Sequence, residues 1–112
     1  MRTALLASAF ALACTAALAG PLDSRFGNTT ITRDGQGNET HIYYAADGTL
    51  TGKQNGQPFK GSWKLNGGTV CLTFDPVPQG ATNPTCVPVS DHKVGDSWGT
   101  GPYTVTLVKG IQ

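Results

Sequence analysis

The amino-acid sequence predicts an all-β domain, a small antiparallel meander of about seven strands that closes into a barrel or flattened sandwich with one disulfide. Apolar and polar residues alternate with a period of two, and no window beyond residue 19 shows a 3.6-residue apolar repeat long enough for a helix. All fifteen glycines and all seven prolines lie beyond residue 19, where they mark turns at short intervals.

Residues 1–19 differ from the rest of the chain and predict a secretory signal peptide. Arg2 gives a positive start, residues 5–13 form an apolar run, and Ala17-Leu18-Ala19 is a small-residue cleavage motif. We therefore expect cleavage after Ala19 and a periplasmic or secreted protein. The alternative is a lipoprotein anchored at Cys14, because the residues before Cys14 partly match the lipoprotein pattern.

The mature chain is neutral, which bears on its partners. Removal of residues 1–19 takes away Arg2 and no acid, so eight Lys plus Arg against seven Asp plus Glu become seven against seven. Without a basic run or stripe, we expect no nucleic-acid partner. No later stretch approaches the roughly 20 apolar residues of a membrane span, so we expect no span. We also expect a monomer.

The remaining chain divides into a short arm and one β domain. Residues 20–27 lack periodicity and predict an N-terminal arm that is mobile or lies along the surface. Residues 28–112 form the single β domain. Within it, Asp47-Gly48 and Asn55-Gly56 predict tight type I′ hairpin turns. Strands are predicted at 28–33, 39–45, 48–53, 61–65, 69–75, 86–89 and 103–109, and residues 90–102 are predicted as a loop.

The alternation within the strands assigns one face to the core. Residues 69–75 show it most clearly, with apolar side chains at every second position. The predicted core residues are Trp63, Leu65, Val70, Leu72, Phe74, Val87, Val105 and Leu107.

Two cysteines remain after cleavage and predict a disulfide between Cys71 and Cys86. Both lie on the face of their strand opposite the apolar residues. The two strands can therefore pair antiparallel with the cystine on the outer face. Pro88 makes the second strand an edge, because proline has no N–H to donate to a neighbour.

No group of residues predicts catalysis, a metal site or a cofactor. Gly95-Asp96-Ser97-Trp98 resembles a lipase nucleophile block, but no histidine follows it. His41 and His92 have neither a spaced nucleophile nor further ligands in the sequence. The Asp34 turn resembles a calcium loop, but the position that needs a bidentate glutamate is Ala45. We therefore expect no enzyme, no metal and no cofactor.

Two resemblances involve the central strands. Asp47-Gly48-Thr49, Gly61-Ser62-Trp63, Cys71 and Cys86 resemble a group of small exported proteobacterial proteins of unknown function, and this implies a calycin-like β-meander without a known activity. The stretch from Trp63 to Leu72 is similar to periplasmic inhibitors of secreted metalloproteases. That second resemblance implies that a free arm, residues 20–26, enters a protease cleft.

The functional prediction is an exported, non-enzymatic β-barrel that binds a protein or an envelope component through its surface. Aromatic residues are too many to be central in so small a core, and exposed Tyr and Trp favour partner contacts. The alternatives are a periplasmic inhibitor of a secreted metalloprotease and a small hydrolase that uses Ser97 or His92. The candidate binding residues are Leu22, Arg25, Phe26, Tyr43 and Trp98.

Overall fold

The structure is a computed structural model that describes residues 20–112. The predicted signal peptide, residues 1–19 with Cys14, lies outside the described residues. A short 3-10 turn, Asp23–Arg25, precedes eight antiparallel strands. These are β1 (Thr29–Arg33), β2 (Glu39–Tyr44), β3 (Thr49–Gln54), β4 (Gln57–Asn66), β5 (Thr69–Asp75), β6 (Thr85–Pro88), β7 (Ser97–Thr100) and β8 (Tyr103–Val108).

The strands form one sheet in the order β6-β5-β4-β3-β2-β1-β8-β7. Each strand pairs with its neighbour along the chain except β6 and β7, while the β1–β8 pair joins the two ends of the chain. The result is the predicted all-β meander, rolled into a nearly closed barrel. Its remaining gap lies between the edge strands β6 and β7, and we call this gap the seam.

The eighth strand corrects the prediction of about seven strands. Residues 90–102 were expected to be loop, but Ser97–Thr100 pairs with Tyr103–Val108 as β7. Only Trp98 is a large apolar residue in this strand, and Gly99 interrupts it. The alternation that identifies the other strands is therefore too short to be visible in β7.

The two hairpin turns differ in type. Asn55 and Gly56 both have positive φ, at 50° and 85°, as a type I′ turn requires. At the other hairpin only Gly48 has positive φ, and Ala45 N–H bonds to the Thr49 carbonyl at 2.9 Å. The loop therefore contains three residues rather than the predicted two, an arrangement in which a left-handed glycine ends the turn.

The barrel interior contains most of the predicted core. Five predicted residues are buried: Val70, Leu72, Phe74, Val105 and Leu107. Trp63 and Val87 are half-buried and pack against the core cluster. Leu65 is wrong as a core prediction, because 37% of it is exposed. Leu65 follows Trp63 on the same face, but it lies one residue before the end of β4.

The N-terminal arm is a plug rather than a free segment. Leu22 is 2% exposed and belongs to the core cluster of the barrel. The 3-10 turn is fixed by hydrogen bonds from Arg25 N–H to the Leu22 carbonyl at 2.9 Å and from Asn28 Nδ2 to the Ser24 carbonyl at 2.7 Å. The prediction of a mobile or surface arm is therefore wrong, because Leu22 supplies apolar area that the small barrel needs at this end.

The disulfide agrees with the predicted strand faces. Cys71 lies opposite Cys86 in the β5–β6 pair, with a Cα–Cα distance of 4.0 Å. Val70 and Leu72 flank Cys71 on the opposite, inward face and are buried. The disulfide is present as predicted, and β6 is an edge strand of the sheet as expected from Pro88.

Candidate functional site

A cavity of about 110 Å³ lies inside the barrel. Its wall combines inward side chains of the strands with residues of the N-terminal plug and of the Pro-rich loop 76–84. Both edge strands contribute to it, β6 through Val87 and β7 through Trp98, so the cavity extends to the seam. Protein interiors rarely contain voids larger than a water molecule, and a cavity of this size is therefore a candidate ligand site.

One side of the cavity is apolar. Inward positions of β5 and β8 supply Val70, Leu72, Phe74 and Val105, all buried. Phe74 is held by an edge-to-face contact with Phe59, with ring centroids 5.4 Å apart. Apolar ligand atoms can be buried against this side without loss of hydrogen bonds.

Arg25 places a buried positive charge at the cavity. The residue is 6% exposed, and its side chain makes one hydrogen bond, from Nη1 to the Pro21 carbonyl at 3.0 Å. The guanidinium carbon lies 5.3 Å from the centroid of the Trp98 ring, within the range of a cation–π contact. Within residues 20–112, no carboxylate lies within 4.0 Å of this guanidinium.

Burial lowers the pKa of Arg25, and the charges of Tyr44 and Asp91 act in the opposite direction. Burial also raises the pKa of Tyr44 to about 12, so the Tyr44 phenol is neutral at ordinary pH and gives no compensating charge there. Asp91 is exposed and acts from beyond ion-pair distance. The charge of Arg25 is thus only weakly compensated within the described protein.

Two neutral groups of the cavity wall also have unused hydrogen-bonding capacity. The Thr30 hydroxyl is buried and has no hydrogen-bond partner within residues 20–112. The Tyr44 hydroxyl makes no hydrogen bond to a described residue. A buried hydroxyl without a partner lowers stability, so Thr30 is a polar group that a bound ligand could satisfy.

Hydrogen bonds close the end of the barrel that lies opposite the N-terminal plug. Gln54 Nε2 donates to the Gln79 carbonyl at 2.7 Å, and Gln79 N–H donates to Gln54 Oε1 at 2.8 Å. The Tyr103 hydroxyl donates to the Gly80 carbonyl at 3.0 Å. The Pro-rich loop is therefore fastened across this end, and the seam is the side on which no strand pairing closes the barrel.

The loop between β6 and β7 lies beside Trp98. The His92 ring stacks on the Trp98 ring with centroids 3.5 Å apart and planes 4° apart. His92 Nε2 lies 2.8 Å from Ser90 Oγ, and His92 Nδ1 lies 3.4 Å from Asp96 Oδ2. The hydrogen bond from Lys93 N–H is the main cause that lowers the pKa of Asp96, and the neighbouring His92 ring acts in the same direction.

The predicted hydrolase residues are not brought together. Ser97 lies on the outward side of β7, where its hydroxyl is 2.9 Å from the Thr106 hydroxyl. His92 contacts Ser90 rather than Ser97. His41 lies on the outer face of β2, with Nε2 2.7 Å from Glu39 Oε2. In residues 20–112, no group of three or more His, Cys, Asp or Glu side chains could hold a metal ion.

The candidate binding residues separate into two sets. Leu22, Arg25 and Trp98 all line the cavity, although they were predicted for an outer surface. Phe26 packs on Trp63 with ring centroids 5.9 Å apart, and the Tyr43 hydroxyl donates to the Gln112 main-chain oxygen at 2.7 Å on the outer face. Thr30 and Tyr44 were missed as site residues. The inward parity of Tyr44 was visible, since it shares a strand face with Ile42.

Searches against models of protein families, curated proteins and solved structures found no match to this chain. The two resemblances drawn from short motifs therefore stay predictions. Across the described part of the chain, the structure contains no helix with the length and apolar character needed to cross a membrane.

Proposed function

We propose that the protein is an exported binding protein that holds a small organic molecule inside its barrel. One observation carries the proposal. The cavity joins an apolar side to two buried polar residues: Thr30, whose hydroxyl has no partner among the described residues, and Arg25, whose charge is only weakly compensated. Small-molecule sites in proteins have this composition, an apolar wall with a few placed polar groups.

The lining of the cavity supports a binding site inside the barrel rather than on its outer surface. The sequence predicted contact with a protein or an envelope component through exposed aromatic residues. Because Leu22, Arg25 and Trp98 line the cavity, a small molecule of the envelope or its surroundings fits better than a protein. The Cys71–Cys86 disulfide supports export to the periplasm or beyond, since disulfides persist in oxidising compartments. We propose that binding occurs without catalysis.

Protease inhibition by the arm has less support. An arm that enters a protease cleft must be exposed, and Leu22 is 2% exposed within the core cluster. Its release would uncover the apolar end of the barrel and cost free energy of folding.

Hydrolysis is a second candidate, which the Ser90–His92–Asp96 contacts favour. Their order matches a nucleophile, a base and an orienting acid. However, the 3.4 Å separation of His92 Nδ1 and Asp96 Oδ2 is long for a hydrogen bond, and the same oxygen accepts from Lys93 N–H at 3.0 Å. Turnover of p-nitrophenyl acetate that disappears in Ser90→Ala would establish this candidate, and equal rates for both proteins would remove it.

The binding proposal is tested by NMR titration of the ¹⁵N-labelled protein with a panel of short-chain alcohols, amides and acids. We expect saturable shifts at amides of the cavity wall, such as Thr30, Val70 and Val105. Val87→Phe should fill the cavity and abolish them. Val77→Phe is the matched control, since Val77 is 43% exposed and does not line the cavity. Absence of saturable shifts with the whole panel would overturn the proposal.

A further inference from the structure

We infer that the ligand is a monocarboxylate whose carboxylate group lies against Arg25 and whose apolar tail lies along Val70, Leu72 and Val105. The inference rests on the proposed binding function and specifies its ligand. It follows from the donors, charges and volume of the cavity.

The donors of Arg25 are the first observation. A guanidinium has five N–H donors and cannot accept a hydrogen bond. Only one hydrogen bond from its side chain reaches a described residue, the Pro21 carbonyl. A buried cation with unused donors is unfavourable unless an anion or acceptor meets it, and a carboxylate matches the planar fork of arginine in two parallel hydrogen bonds.

The neutral groups of the cavity wall fit the same ligand. A carboxylate offers about four acceptor positions, more than Arg25 alone can fill. The Thr30 hydroxyl has no partner in the described part of the chain, and the Tyr44 phenol is neutral at ordinary pH, so each can donate to an oxygen. An alcohol or amide would satisfy one or two of these groups but would leave the charge of Arg25 without an anion.

The charges of the cavity wall favour a single negative charge. Among the described residues that line the cavity, Arg25 is the only cation and Asp34 the only acid. Asp34 lies at the far end, where its carboxylate accepts hydrogen bonds from Gln36 N–H, Asn38 N–H and Asn38 Nδ2 at 2.8 to 3.0 Å. A second carboxylate on the ligand would therefore meet either apolar side chains or a like charge.

The volume limits the part of the ligand inside the barrel. A cavity of about 150 Å³ holds benzene, so 110 Å³ suits roughly four to six non-hydrogen atoms. Butyrate is in this range. A longer chain would have to leave the barrel at the seam between β6 and β7, where Val87 and Trp98 line the cavity.

The test compares butyrate, butyramide and 1-butanol by NMR titration of the wild-type protein at neutral pH. We expect butyrate to bind at least about tenfold more tightly than either neutral compound. A hydrogen bond between charged groups contributes more binding free energy than one between neutral groups, by an amount that corresponds to this factor in affinity. Arg25→Gln should remove the preference while butyramide still binds. Arg33→Gln, at an exposed arginine paired with Glu39, is the matched control and should retain it.

Each outcome decides a separate point. Equal affinity for butyrate and butyramide would overturn the carboxylate inference and leave the binding function standing, whereas binding of none of the three compounds would overturn both. A folded Arg25→Gln protein that still prefers butyrate would also contradict the role of Arg25. If Arg25→Gln does not fold, the wild-type comparison still decides, and Thr30→Val should weaken butyrate binding about threefold.

Discussion

Two parts of the barrel interior differ in what they contain. The packed wall, formed by inward residues of β3 to β5, contains Leu50, Phe59, Leu72 and Phe74, all buried apolar residues. The threonine wall, formed by inward residues of β1, β2 and β7, contains Thr30, Thr32, Thr40 and Thr100, which line the cavity. Leu72 and Phe74 of the packed wall also line the cavity, so the two walls differ there in the size and polarity of their side chains.

The two walls should therefore contribute differently to stability. Large apolar side chains on the packed wall remove area from water and hold the N-terminal plug through Leu22. Short polar side chains on the threonine wall leave space and carry hydroxyl groups. Large-to-small substitutions on the packed wall should therefore lower the free energy of unfolding, whereas substitutions on the threonine wall should act on stability mainly through the hydroxyl groups that they remove.

The largest effect is expected for Leu22→Ala, which removes the plug side chain from the core cluster of the packed wall. Because Leu22 is 2% exposed, we expect a loss of about 2–5 kcal/mol in the free energy of unfolding, measured by urea denaturation. Leu65→Ala is the matched control, since Leu65 is 37% exposed, and it should cost much less. Equal losses in the two variants would show that the arm does not stabilise the barrel.

A smaller loss in the free energy of unfolding is expected for Gly61→Ala in β4. A methyl group on Gly61 would overlap the Thr73 carbonyl of β5, because the two backbones approach closely there. Such overpacking costs about 1–3 kcal/mol, which urea denaturation would detect. At Gly35, in the β1–β2 turn, the added methyl would meet no atom within 4 Å. Gly35→Ala should therefore leave the denaturation midpoint nearly unchanged, and a similar midpoint for both variants would contradict the close approach.

On the threonine wall, Thr30→Val should raise the free energy of unfolding rather than lower it. Valine has nearly the same shape as threonine and lacks the buried hydroxyl, which has no partner among the described residues. We therefore expect the free energy of unfolding to rise by up to about 1 kcal/mol. Thermal denaturation of the ligand-free protein measures the change. Thr40→Val is the control, because the Thr40 hydroxyl accepts from Gln54 Nε2 at 3.2 Å and its loss should destabilise. Destabilisation by Thr30→Val would place a partner on that hydroxyl and weaken the distinction between the walls.

The β5 part of the packed wall could be predicted from the sequence, but Leu50 and Phe59 were missed as core residues, and so was the threonine wall. Alternation in residues 69–75 identified Val70, Leu72 and Phe74 as inward and Cys71 as outward, since large apolar residues at every second position have one stable placement. Thr30 and Thr32 follow the same parity. Threonine suits either face of a strand, however, so the residue type does not reveal which threonines face a cavity.

The site itself depended on contacts between distant parts of the chain. Trp98 lies far from Arg25 and Thr30 in the sequence, and the pairing of β8 with both β1 and β7 brings the three residues around one cavity. Arg25 was identified as a candidate binding residue, but its burial arises from a plug whose residues show no periodicity. Short turns without a repeating pattern give no sign of what they cover.

The smallest expected effect concerns the turn beyond the threonine wall, where Asp34 accepts three hydrogen bonds. Those from the Asn38 side chain, Asn38 N–H and Gln36 N–H lower the pKa of Asp34 below its usual 3.8. Its stabilising contribution is therefore fully present above the pKa of the unfolded chain and is lost as the pH falls through the lower pKa of the folded protein. In urea denaturation from about pH 5 to pH 2, Asp34→Asn should lose less stability than the wild type. Asn38→Ala retains the two backbone donors, so its loss of stability should lie between those of Asp34→Asn and the wild type. If stability falls with pH in parallel for all three proteins, the Asp34 carboxylate does not have this role.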